Sequence, residues 1–141
     1  MSIKRNALAT ALLGVLLISG SALAQARPDL GKREFDTNCA MCHGLDGKGG
    51  GVMSTYLNRQ PTNLTTLAKA NGGILPMDRM YAMVEGSREV PAHGTRDMPA
   101  WGNDYRVQAA QYYWDVPYDP EVVVRGKILA LLEYINRLQA K

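Results

Sequence analysis

Cysteine and histidine are both scarce in this chain of 141 residues, with two of each. Two cysteines cannot build the multi-bridge framework that holds many small secreted domains together. Strand-like alternation is weak, and neither repeats nor low-complexity tracts occur, which argues against a sandwich, barrel or solenoid. The glycines between Gly44 and Gly51 lack the G-x-x-x-x-G-K-[ST] pattern, so they form no phosphate loop. Charge of neither sign dominates: 16 basic residues stand against 13 acidic ones, which makes no case for nucleic acid or an anionic membrane as partner. No Ser/His/Asp arrangement or carboxylate pair can be tied to a site, so the chain does not read as an enzyme.

What the chain does have is Cys39-Ala40-Met41-Cys42-His43, both of its cysteines in one C-x-x-C-H. This is the attachment pattern of a c-type haem. Two thiols at that spacing can each bond one vinyl group of a single porphyrin, and the next residue brings an imidazole to the iron. A thioredoxin-like redox pair would lack the histidine and would sit in a βαβ pattern. Zinc would need Cys39, Cys42, His43 and His93 together. Adjacent Cys42 and His43 would hardly both reach one tetrahedral ion, and the usual His-x(3–5)-His pair is missing. With both thiols used by the haem, no structural disulfide is expected.

The single long apolar run lies at the N-terminus. Lys4 and Arg5 precede Ala7 to Ile18, and Ser19-Gly20-Ser21-Ala22-Leu23-Ala24 follows. That is a charged region, an apolar stretch and an A-x-A cleavage signal. The expected division is therefore a signal peptide over 1–24 and one haem domain over 25–141. A retained anchor is the competing reading, but Ala7 to Ala24 is short for a span and contains Thr10, Gly14, Ser19, Gly20 and Ser21. Export places the domain outside the cytoplasm, with a bacterial periplasm as the expected location. Loss of Lys4 and Arg5 would leave 14 basic residues, close to balance with the acidic ones.

The remaining pattern is helical. Pro28 and Asp29 suit a helix start, and Gly31, Phe35, Cys39 and Cys42 fall on one face, so one helix is expected to deliver both thiols to one side. Gly31 implies either close approach by another helix or an inexpensive first-turn position. Gly44 to Pro61 reads as irregular chain around the proximal side of the haem. A backbone carbonyl near Pro61 is a candidate partner for the His43 Nδ1–H. Asn63 caps a short helix over Leu64 to Ala70, stopped at Gly72-Gly73. Pro76 opens another with Met77, Met80, Tyr81 and Val84 as its stripe. Gly86 to Gly102 is a loop, and the aromatic-rich Asp104 to Tyr118 reads as a helix up to Asp115. Asp119-Pro120-Glu121 starts the last helix, with Ile128, Leu131, Leu132, Ile135 and Leu138 on its buried face.

A six-coordinate iron needs a second axial ligand. A methionine thioether raises the potential and suits electron transfer. Met41 sits on the attachment segment and cannot reach the far face, Met77, Met80 and Met83 read as core filler, and Met53 remains in the irregular segment. Met98 stands in a polar loop, stiffened by Pro99, far enough along the chain to pass round the porphyrin. His93 and an open sixth position are the rivals.

Taken together, Gly31-x-x-x-Phe35-x-x-x-Cys39-x-x-Cys42-His43-Gly44, then Met98-Pro99-x-Trp101-Gly102, then Leu131-x-x-Tyr134, resemble the class I cytochromes c of bacterial periplasms. The resemblance implies an all-α, small cytochrome c fold whose N- and C-terminal helices cross, with Gly31 and Phe35 meeting Leu131 and Tyr134. It implies one covalent haem c, iron held by His43 and Met98, and an exposed haem edge. Trp101 would pack near that edge, donate to a propionate or serve ordinary packing. The implied function is single-electron transfer between redox proteins such as a reductase, dehydrogenase or terminal oxidase. Two alternatives remain: a haem subunit or electron acceptor of a periplasmic dehydrogenase, and a gas-binding or peroxidatic protein with an open sixth site. His93 and the aromatic segment depart from the simplest members; the segment reads as packing or as a docking face.

Overall fold

The computed structural model describes residues 28–87 and 98–140. The signal segment, His93 and Lys141 lie outside them. Among the described residues six α-helices follow in order: α1 Leu30–Asn38, α2 Ala40–His43, α3 Leu67–Ala70, α4 Met77–Glu85, α5 Trp101–Tyr112 and α6 Pro120–Arg137. Short 3-10 turns occupy Ser54–Tyr56 and Leu64–Thr66. The described residues contain no strand, so the all-α expectation holds. None of their helices is long and apolar enough to cross a membrane.

The chain caps its helices as the residue types dictate. Asp29 accepts from the Lys32 amide at 2.9 Å, Asn63 from Thr65 at 2.9 Å, and Asp119 from Glu121 at 2.9 Å. Asn63 caps a 3-10 turn that passes into α3 rather than one regular helix. Pro76 is the cap residue of α4, not its first helical position. α5 starts at Trp101 and stops at Tyr112, earlier at both ends than the aromatic segment suggested.

Helix α6 is the element against which α1, α4 and α5 all pack. Its Val124, Ile128, Leu131, Leu132 and Ile135 are buried together with Phe35, Tyr105, Met80, Val84 and Leu75. The crossing of α1 and α6 depends on Gly31. A Cβ at that position would lie 2.0 Å from the Ala130 carbonyl oxygen and 2.9 Å from Tyr134 Cβ, so only hydrogen fits between the two backbones. Close approach is therefore the reason for this glycine, and Ala130 with Tyr134 is what it meets. Phe35 stacks obliquely on Tyr134, with ring centroids 5.3 Å apart.

One local expectation needs correcting. The cysteines do not share an uninterrupted helix: α1 ends at Asn38, Cys39 departs to φ −113°, and α2 begins at Ala40. The break keeps its hydrogen bonds, because Cys39 N–H donates to Phe35 O at 2.9 Å and His43 N–H to Cys39 O at 2.8 Å. It redirects the Cys-x-x-Cys-His turn relative to α1 without leaving these backbone groups unpaired.

Candidate haem site

The cysteine turn is anchored first by backbone. The Gly-rich chain folds back onto the C-terminal carbonyls of α2: Gly49 N–H donates to His43 O at 2.7 Å, Gly51 to Cys42 O at 3.0 Å and Met53 to Met41 O at 2.9 Å. A Cβ on Gly51 would stand 2.3 Å from the Met41 carbonyl oxygen, so this wrap requires glycine there. The glycine run thus serves to satisfy the orphan carbonyls of a short helix.

From the same wrap the chain runs on to Thr62, whose carbonyl lies 3.0 Å from His43 Nδ1. A carbonyl only accepts, so Nδ1 carries the proton and Nε2 keeps its lone pair. Burial lowers the His43 pKa, opposed by the Thr62 bond, and favours the neutral ring. A neutral imidazole fixed in one tautomer by a carbonyl is the state in which histidine binds a metal. The sequence pointed to a carbonyl near Pro61; the acceptor belongs to the next residue.

Cys39 is buried and Cys42 half-buried, and both are free thiols. Burial, reinforced by the Glu34 charge and by Cys42, pushes the Cys39 thiol up to about 12. It is a neutral thiol in apolar surroundings, unlike the activated thiolate of a redox pair. Cys39 belongs to the main apolar cluster, and Met98 and Trp101 pack on that cluster half-buried. Leu64, Leu67, Ala68 and Tyr81 do the same. Cys39 and Met98, far apart in the sequence, are thus joined through one apolar body. Of the other methionines, Met80 is buried core while Met41 is 55% exposed on the attachment turn.

These residues fit a haem. Two thiols lie beside an imidazole whose free nitrogen is defined, and a thioether and an indole sit on the same apolar cluster. When bound, haem supplies a one-electron iron couple. Cys39 and Cys42 would tether it, His43 would coordinate the iron, and the half-buried apolar side chains would exclude water.

Two polar clusters escaped the sequence reading. Arg106 of α5 donates to Glu85 of α4 at 2.9 Å and to Glu121 of α6 at 2.5 and 3.2 Å, tying three helices. Glu34 of α1, only 7% exposed, accepts from Lys127 of α6 at 3.0 Å and from Asn38 at 3.0 Å. The available signal was a charge on a buried helical stripe: Glu34 adjoins Phe35, and Lys127 lies between Val124 and Leu131.

A family model for cytochrome c matches residues 28–112. No curated protein and no solved structure matches the chain. The matched span includes the C-x-x-C-H turn, the Thr62 carbonyl and Met98, and covers more than half of the sequence. The chain therefore belongs to the cytochrome c family, proteins that bind haem iron and carry electrons.

Proposed function

We propose that this chain is exported and works as a periplasmic single-electron carrier with one covalent haem c. Cys39 and Cys42 tether the cofactor, His43 Nε2 is one axial ligand and the Met98 thioether is the other. Donor and acceptor are redox proteins, among them a reductase, a dehydrogenase or a terminal oxidase. The observation that carries this reading is the His43–Thr62 bond beside the paired thiols, because it prepares the imidazole for iron before any partner is involved. The Lys4-Arg5 region, the apolar run and the A-x-A at Ala22 to Ala24 support export.

Fixed ligands suit electron transfer. Covalent tethering, a positioned imidazole and an apolar surround limit rearrangement when the charge changes, and a thioether ligand favours the reduced state. A second reading, the haem subunit of a periplasmic dehydrogenase, draws on one observation: Tyr112 and Trp114 are 77% and 81% exposed at the end of α5. Exposed aromatics of this size suit an interface.

Optical spectra of the purified protein and of Met98→Ala, with carbon monoxide added to the reduced forms, test the ligand set. Wild type is expected to show the weak long-wavelength ferric band of iron–thioether bonding and to resist carbon monoxide. Met98→Ala is expected to lose the band and bind the gas rapidly. A wild type without the band that binds carbon monoxide at once would overturn methionine ligation and favour an open site.

A further inference from the structure

The buried polar cluster between α1, α5 and α6 has no part in holding the haem, yet it joins the attachment segment. Glu34 lies on the same α1 stripe as Gly31, Phe35 and Asn38, and Cys39 directly follows that helix. Its carboxylate is almost wholly withdrawn from water. One oxygen takes the Lys127 ammonium at 3.0 Å and the other takes Asn38 Nδ2 at 3.0 Å. Asn38 Nδ2 also lies 3.5 Å from the Tyr105 hydroxyl, and Tyr105 is fully buried. Lys127 Nζ stands 4.7 Å over the Tyr105 ring and donates to Gln108 at 2.9 Å.

The two charges are unequally placed. The Glu34 side chain is 10% exposed and that of Lys127 is 22% exposed. An ion pair in this setting is no strong argument for stability, because desolvation offsets much of the attraction. It is a strong source of field, since buried charges are poorly screened. That the Glu34 charge reaches the attachment segment is supported by its share in raising the Cys39 and Tyr105 pKa values, second to burial in each.

We infer that Glu34 and Lys127 form an internal charge couple that sets the redox potential of the bound haem, Glu34 favouring the oxidised state and Lys127 the reduced one. The inference rests on the haem reading above. Both are positioning residues for the field at the cofactor; neither touches it. Oxidation adds one positive charge at the iron and the partner takes the electron. A nearby negative charge therefore favours the oxidised form and a positive one opposes it.

The test is spectroelectrochemical titration of the haem-loaded protein at fixed pH and salt, comparing wild type, Glu34→Gln, Lys127→Met and the double variant. Glu34→Gln keeps shape and hydrogen bonding while removing the negative charge. Lys127→Met keeps the apolar stem over Tyr105, with Lys127→Gln as a second form should it fold poorly. At a fixed ambient potential, the ratio of reduced to oxidised protein should rise in Glu34→Gln and fall in Lys127→Met, each by about three- to tenfold. A tenfold change corresponds to about 59 mV for a one-electron couple. The double variant should return toward wild type. A packing defect would open the site and move both single variants the same way. Shifts of the same sign, or a potential unchanged in either variant, would overturn the inference. A wild type with no haem couple at all would instead sink the haem reading.

Discussion

His43 and Thr62 hold each other at 3.0 Å, and that bond decides which ring nitrogen keeps a free lone pair. The motif made the histidine legible at once, but not its acceptor. Nothing in the Thr62 side chain matters to a backbone carbonyl, so only the path of the glycine wrap could select it. Met98 stood out for a different reason, as a methionine followed by proline in a polar loop, and the structure places it half-buried on the cluster that contains Cys39. Arg106 and its carboxylates were not legible, because three residues from three helices meet only through packing. They carry a pH prediction. Hydrogen bonds from Arg106 and Ser87 hold Glu85 below its ordinary value of 4.5. Its folded pKa is depressed, so its contribution is complete above the unfolded value and is lost as pH falls through the folded one. Glu85→Gln should cost about 1 kcal/mol near neutrality, a modest figure because Arg106 is partly solvated and retains Glu121. Denaturant unfolding of both proteins across pH should show their stabilities converging as the pH falls below the ordinary glutamate value and through the depressed folded one. A constant difference would show that the carboxylate charge is not what matters.

Elements were readable where end chemistry and periodicity agreed. Asp119-Pro120-Glu121 opened α6 as expected, and four of the five apolar residues assigned to its buried face are buried, with Leu138 half-buried at the end. The break at Cys39 was hidden, because Gly31, Phe35, Cys39 and Cys42 keep helical spacing whether or not one of them leaves the helix. The ends of α5 were hidden because the aromatics in and just after it serve two roles. Tyr105 is core, whereas Tyr112 and Trp114 face solvent. The crossing of α1 and α6 makes the sharpest prediction at this scale. Gly31→Ala would set a methyl against the Ala130 carbonyl, where neither backbone can yield without moving its helix. A loss of about 2–3 kcal/mol is expected from overpacking of this kind, read as a lower denaturation midpoint of the haem-loaded protein. No loss would mean that the helices do not approach as closely as described.

For the whole molecule, the match to the cytochrome c family ends at Tyr112, where the exposed aromatic turn begins. The domain does not end there. Helix α6 lies beyond the match and contributes Val124, Ile128, Leu131, Leu132 and Ile135 to the core. Each buried side chain of this size contributes about 1.5–3 kcal/mol, so the five together rival the total stability of a small domain. A chain stopped after Tyr118 should therefore fail to give a folded haem protein, as judged by soluble yield and helical circular dichroism. Export has its own check: N-terminal sequencing of the protein from a periplasmic fraction should begin at Gln25. The central claim is that Cys39 and Cys42 hold a haem covalently. Mass spectrometry of the denatured protein, expressed with a c-type haem maturation system, tests it most directly. Wild type should carry the mass of one haem through denaturation, and the Cys39→Ser/Cys42→Ser variant should carry none. A wild type that releases its haem on denaturation, or never acquires one, would contradict the account.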